Sequence, residues 1–293
     1  MTEATAVRKA VPRIGLSTAG AGRMTDLGAL AGLGPDSLEV CACGPGEWPR
    51  VARFIRSASL PVGLHCPVPY EGRLREFQIT GPTSEGRRVA LDLVRRTLEA
   101  AVDASAAYVV VHFPTPHPRP IGPPPRPEGA DGDTPEALVD AGARLAELQQ
   151  LFGVPLFVEN LSYHPRFGSA TDYRAFFEAF PTLRMCLDVG HAHTSIHGED
   201  VYDFVAGTGE FISSVHLYNT QDDGPDAGRH QVPLPAQTPG DGWIDLPRLM
   251  RTLARHARPE YVVLEHVTGQ PDAGSAYAST RWLRELTQEL PWN

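Results

Sequence analysis

The sequence predicts an α/β protein built as a single (β/α)8 TIM barrel. Three observations carry this. Eight short segments rich in Val, Ile and Leu recur along the chain, the pattern of parallel strands buried on both faces. Segments of helical periodicity separate them, so strand and helix alternate. The chain has 293 residues, enough for one such barrel of about 250 residues, and no compositional break divides it. A doubly wound open sheet is the competing arrangement, but no G-x-G-x-x-G follows the first strand.

Residues 1–12 read as a mobile tail, because MTEATAVRKAVP lacks the apolar core of a signal peptide. The barrel domain then occupies residues 13–293. Its strands are Arg13–Ser17, Ser37–Cys41, Pro61–His65, Tyr108–His112, Pro155–Glu159, Arg184–Asp188, Ser213–Leu217 and Tyr261–Glu265. Helical patterns fall at Met24–Leu33, Trp48–Ser57 and Glu85–Ala104, the last with apolar residues at i, i+3, i+4 and i+7. The next runs to Phe152 from Thr134 as cap, with Pro135 at the first position and Glu136 in the first turn. Thr171–Ala179 is read as starting from a Thr cap, Val201–Val205 is short, and Leu246–Ala257 and Ser275–Glu289 complete the set. Residues 114–134 hold eight prolines between Pro114 and Pro127, so no regular element survives there. A βα loop of that length reads as a semi-rigid lid, a partner contact or a tolerated insertion.

Charge and composition narrow the function. The formal net charge is −9, which argues against a nucleic-acid partner, since phosphates call for a cationic face. No apolar run approaches the roughly 20 residues of a membrane span. The four cysteines, Cys41, Cys43, Cys66 and Cys186, together with the missing signal segment, point to a reducing cytoplasm. Cys41 and Cys43 read as small apolar side chains rather than ligands. Cys186 shares the parity of Asp188 and is expected inside the barrel.

Six of the eight strands carry His, Asp or Glu at or next to their last residue: His65, His112, Glu159, Asp188, His216 and Glu265. In a (β/α)8 barrel those ends form one rim, where active sites lie. Adjacent strands are about 4.8 Å apart, so neighbouring side chains can share an ion. Glu159, Asp188, His216 and Glu265 come from consecutive strands. One imidazole and three carboxylates suit a divalent Mn, Zn, Co, Fe or Mg ion. A carboxylate after the apolar run PLFV is costly unless paired or metal-bound, which adds weight to Glu159. His65 and His112 either bind a second ion, with Glu159 bridging, or hydrogen-bond substrate. His191, His230, Asn160 and Glu39 are further candidates for contact with substrate. His193 and His197 read as ordinary loop residues.

These residues sit in VEN at 158–160, CLDVGHAH at 186–193, VHL at 215–217, GDGWID at 240–245 and VLEH at 263–266. In these motifs the chain resembles the xylose-isomerase-like TIM-barrel superfamily, which holds sugar-phosphate isomerases and epimerases and the zinc abasic-site endonucleases. The resemblance implies that Glu159, Asp188, His216 and Glu265 are metal ligands and that Glu159 and Glu265 also move the proton in epimerisation. It implies histidine ligands at His65 and His112 in the endonuclease branch, which adds a third-ion set made of the His191 position and an Asp-x-His. Here that triplet is Gly228-Arg229-His230, and the nearest carboxylate is Asp226, two residues away. By family analogy a homo-oligomer, a dimer or tetramer, is one expectation for the assembly.

The expected function is thus a divalent-metal-dependent isomerase or epimerase of a small, sugar-like polyhydroxy carbonyl compound, acting through a metal-stabilised enediolate. The alternative is a di- or trinuclear metal-dependent hydrolase or phosphodiesterase acting on a small substrate.

Overall fold

A computed structural model describes residues 11–19, 26–71, 77–115, 134–164, 166–195, 197–222, 227–265 and 273–292. Eight parallel strands close into a barrel in sequence order. They are β1 (Arg13–Ser17), β2 (Ser37–Val40), β3 (Val62–His65), β4 (Val109–His112), β5 (Leu156–Glu159), β6 (Arg184–Asp188), β7 (Ile212–Leu217) and β8 (Tyr261–Leu264). Closure is made where Arg13 to Leu16 of β1 pair with Tyr261 to Leu264 of β8. Most of the Pro-rich segment, the proposed tail up to residue 10, Asp226 and His266 lie outside the described residues.

Strand parity divides the core in two. Tyr108, Val110, Phe157, Cys186, Tyr261 and Val263 form a cluster inside the barrel. Their neighbours, such as Val109, Val111, Leu156, Val158 and Leu187, face outward into the larger core beneath the helices. Because side chains alternate, His112 lies on the same face as Val110 and Tyr108. Glu159, Asp188 and Glu265 likewise follow Phe157, Cys186 and Val263. The functional side chains are therefore the top layer of the barrel interior, standing on a hydrophobic plug.

Around the barrel lie α1 (Leu27–Gly32), α2 (Trp48–Ser57), α3 (Ser84–Ala104), α4 (Pro135–Phe152), α5 (Ala170–Ala179), α6 (Val189–His193), α7 (Val201–Thr208), α8 (Leu246–His256) and α9 (Ala273–Gln288). Thr134 caps α4 through the amide of Ala137, with Pro135 in the first turn. The start of α5 differs from expectation: Ser169, not Thr171, is the cap. Ser169 and Asp172 form a reciprocal capping box that satisfies two end groups at once. Such caps are worth about 0.5–2 kcal/mol each. The single turn α6 is an element that periodicity did not reveal. It begins directly at the end of β6, capped by the Asp188 side chain. Among the described residues no helix is long and apolar enough to cross a membrane.

Candidate metal centre

Register brings the strand-end residues level. His112 stands opposite Glu159 across β4 and β5, and Asp188 stands opposite His216 across β6 and β7. Glu159 is the hub, nearly fully buried at 1% exposure. Its Oε2 lies 2.9 Å from His65 Nε2 and 3.4 Å from His216 Nδ1. Its Oε1 lies 3.4 Å from both His112 Nε2 and His191 Nδ1. Glu265 Oε2 approaches His216 Nδ1 at 2.9 Å.

Three overlapping ligand sets result among the described residues, the third being Glu39, His65 and His216. Glu159, Asp188, His216 and Glu265 each offer one donor atom, all within 4.8 Å of one another. His65, His112 and Glu159 do the same. A divalent ion fits the first set on three counts. It has a mixed nitrogen and oxygen donor set, as hard and borderline ions prefer. Asp188 Oδ1 accepts the backbone N–H of His191 at 2.7 Å, whereas buried Oδ2 has no hydrogen-bond partner. His216 Nδ1 is also buried without a hydrogen bond, while its Nε2 lies 3.0 Å from Glu39. Among the described residues both atoms have charged neighbours, Glu265 at 2.9 Å from Nδ1 and His191 at 3.5 Å from Oδ2, but no well-aligned hydrogen bond, and a cation shared by the four residues would satisfy them together.

Electrostatics agree. Burial opposes a charged His216, but Cys186 and the carboxylates of Glu39, Glu265 and Glu159 drive its pKa well above the ordinary imidazole value. Burial likewise opposes a charged His65, yet the hydrogen bond and charge of Glu159 raise it to about 9. His191 is also raised to about 9, by Asp188 and Glu159 acting against burial. Burial opposes ionisation of Glu265, but His216 holds it down to about 2. Asp188 is shifted the other way, upward, chiefly because it is buried. The facing carboxylates thus favour the charged forms of His65, His191 and His216 against burial.

The remaining candidates divide. His191 hydrogen-bonds the Asn160 carbonyl through Nδ1 at 2.9 Å, and His230 pairs its Nδ1 with the Glu265 carbonyl at 3.1 Å. Both therefore present Nε2 away from the backbone, with ring centroids 6.1 Å apart. His230 stacks on Tyr218 at 3.6 Å. Asn160, expected to orient substrate, instead has both ends of its amide on the backbone of Asp188. Glu39, expected to touch substrate, lies below His216 with 0% exposure. Its carboxylate also accepts the Tyr108 hydroxyl at 3.0 Å. His193, read as a loop residue, belongs to α6 and pairs with Asp222 at 2.6 Å. His197 bonds the His164 carbonyl.

Two contributors are not among the residues singled out from the sequence, Tyr108 and Tyr218, and Gly190, there expected to allow a tight turn, has a packing role as well. Tyr108 could have been found by parity, four residues before His112 on the same face. A Cβ on Gly190 would meet the Tyr218 ring at 2.2 Å, so the glycine is there to admit that ring. A cavity of about 760 Å³ is lined by His65, His112 and Glu265 together with Cys41, Tyr70 and Glu71.

Comparison with known proteins agrees with this architecture. A relative, an uncharacterized protein (MJ1614) of Methanocaldococcus jannaschii, is 22% identical over 169 residues, 56% of this chain and 58% of the relative. The chain thus matches rather more than half the length of that protein. The fold is similar to that of a 3-keto-D-glucoside 4-epimerase, YcjR, of E. coli in its apo form, with a TM-score of 0.69 and 20% identity over 94% of this chain and 99% of the other. It is similar to an L-ribulose 3-epimerase, with a TM-score of 0.68 and 17% identity over 95% of each chain. It is similar to the TTHB071 protein of Thermus thermophilus soaked with ZnCl2, with a TM-score of 0.65 and 20% identity over 96% of this chain and 99% of the other. The family model described as xylose isomerase-like TIM barrel matches residues 30–286. With that match over most of its length, the chain belongs to the xylose isomerase-like TIM barrel family.

Proposed function

We propose that this protein is a divalent-metal-dependent epimerase or isomerase of a small polyhydroxy carbonyl compound. The observation that carries the reading is the placement of two carboxylates, Glu159 and Glu265, at 3.4 and 2.9 Å from the same His216 nitrogen. Both stand at the base of the barrel mouth, and Glu265 lines the cavity. The epimerase titles of two fold neighbours support it. A bound divalent ion would supply Lewis-acid polarisation of a carbonyl and its neighbouring hydroxyl. Glu159 takes the proton from the carbon between them, and Glu265 returns one to the opposite face. His191, anchored through Nδ1 to the Asn160 carbonyl, offers its other nitrogen to a substrate oxygen. The hydrophobic plug below keeps water from reaching the pair from the barrel interior. The test is solvent-deuterium wash-in with a panel of ketoses and one added divalent ion. Deuterium appearing at a single carbon supports the reading, and a chain that exchanges no carbon-bound hydrogen in any of them refutes it.

A second reading is a dinuclear hydrolase of a small substrate. It is favoured by the set of His65, His112 and Glu159, whose donor atoms lie within 4.8 Å of one another. In that case His65, His112 and Glu159 would hold a second ion, which would supply an activated water for the hydrolysis. Metal stoichiometry separates the two. One ion per chain, with turnover surviving His112→Ala, supports the epimerase. Two or three tightly held ions, with hydrolysis of a phosphoester, support the hydrolase.

A further inference from the structure

Glu39 stands 177 residues from His216 in sequence and is the carboxylate that reaches its Nε2. The contacts are 3.0 Å from Oε1 and 3.2 Å from Oε2. Oε2 also accepts the Tyr108 hydroxyl at 3.0 Å. Glu39, Tyr108 and His216 are each 0% exposed. They rise from three different strands or strand edges, β2, the start of β4 and β7, so the contact spans the barrel interior. The chain makes room for it at Gly63 of β3, where a Cβ would lie 2.2 Å from the Tyr108 ring. A carboxylate fully removed from water is costly, and here it has two donors to compensate it. A third, longer contact comes from the thiol of Cys41, 3.9 Å from Oε1, and Cys41 is among the residues that line the cavity.

We propose that Glu39, held by Tyr108, is a positioning residue that fixes His216 with its proton on Nε2 and its lone pair on Nδ1. The proposal rests on reading the cluster above as a metal centre. Imidazole has two nitrogens, and whichever hydrogen bond one makes determines what the other can do. With Nε2–H donated downward, Nδ1 is left as a donor atom facing Glu159 and Glu265. The buried negative charge beneath the ring also makes that nitrogen a stronger base, and outer partners of this kind change metal affinity by about 10- to 100-fold. There is a rival arrangement: Glu39, His65 and His216 themselves offer three donor atoms within 4.8 Å. An ion there would sit on Nε2 and would displace the hydrogen bond.

The test uses the full chain stripped by a chelator, with Zn2+ and Co2+ as probes in competition with a chromophoric chelator. Glu39→Gln keeps the size of the side chain and removes its charge. Glu39→Asp keeps the charge and withdraws it from Nε2, and serves if the first variant fails to fold. Both are expected to bind metal about 10- to 100-fold more weakly, while the metal-free Glu39→Gln protein melts close to wild type. A crystal of the Co2+-loaded protein is expected to hold the ion on His216 Nδ1. Wild-type affinity in both variants overturns the proposal, and so does an ion on Nε2 between Glu39 and His65. If the wild-type chain takes up neither metal, the metal-centre reading itself falls. Normal uptake with indifferent variants removes only the role of Glu39.

Discussion

Asn160 and Asp188 exchange two hydrogen bonds across neighbouring strand ends. Asn160 Nδ2 donates to the Asp188 carbonyl at 3.0 Å, and the Asp188 amide donates to Asn160 Oδ1 at 2.7 Å. Each residue is adjacent to, or is itself, a proposed ligand, so the amide ties Glu159 to Asp188. Asn160→Ala would leave a buried N–H and a buried carbonyl unpaired, at about 1–3 kcal/mol for each such group. The variant is expected to melt lower and to bind metal more weakly. Thermal unfolding with and without added zinc checks both, and an unchanged metal affinity would show that the tie does not serve the site.

Gly190 offers a second structural test. Ala is normally the better residue in a helix, by about 1 kcal/mol. In α6 the sign should reverse, because the added Cβ would lie 2.2 Å from the Tyr218 ring. Tyr218 also supports His230, stacked at 3.6 Å. Gly190→Ala is expected to destabilise by about 1–3 kcal/mol, the usual cost of overpacking, and to raise KM through displaced His230. Denaturant unfolding and steady-state kinetics measure the two effects, and a stabilised variant would contradict the packing argument.

The strands were legible because parallel barrel strands are buried on both faces and read as short apolar runs. Their final residues were legible for the same reason, since Glu159 or His112 at the end of such a run is chemically out of place. What stayed hidden was non-local or too short to show a period. The α6 helix is five residues long, less than two turns, and its only sequence mark is Asp188 ahead of His191. Ser169 caps α5 where the sequence suggests Thr171, two residues later and of equal capping chemistry. The decision lay with Asp172, which completes the box only with Ser169. Glu39 reads as a pocket residue because it stands near the end of the second strand in SLEVC, but position along a strand gives no depth. Its partners Tyr108 and His216 lie 69 and 177 residues away, so only the closed fold reveals it as the support of a ligand.

Glu159 faces four histidines, which makes its replacement the most severe test of the site. Glu159→Gln retains shape and loses both charge and basicity. Removal of a general base costs about 10²–10⁴-fold, and loss of a ligand adds to it. Turnover is expected to vanish, with metal content per chain reduced. His112→Ala removes a group from the second ligand set alone and is expected to leave most epimerase turnover intact. Metal analysis beside kinetics on both proteins checks this. Retained activity in Glu159→Gln would refute the assignment of the centre.

The metal-free protein should lose stability toward alkaline pH, for a reason that lies in the same cluster. His65 and His191 are raised from 6.5 to about 9, the carboxylates overcoming the opposing effect of burial. The folded state therefore binds their protons more tightly than the unfolded chain does. Their contribution is fully present below about pH 6.5 and is lost as pH rises through about 9. On the acid side Glu265, lowered to about 2, contributes above its ordinary pKa of about 4.5 and loses that contribution as pH falls through about 2. Asp188, raised by burial, works against it, so the alkaline limb is the clearer test. Zinc should act oppositely there, because His216 must be neutral to bind it and a cation beside Glu159 and Asp188 competes with the protons that those carboxylates hold on His65 and His191. The melting temperature of chelated protein is expected to fall between about pH 6.5 and 9, while the increment gained on adding zinc grows over that range. Calorimetric titration in buffers of different ionisation enthalpy should register protons released on binding at about pH 7. An increment that shrinks as pH rises, or binding without proton release, would mean that these imidazoles are not displaced from their protons by the metal.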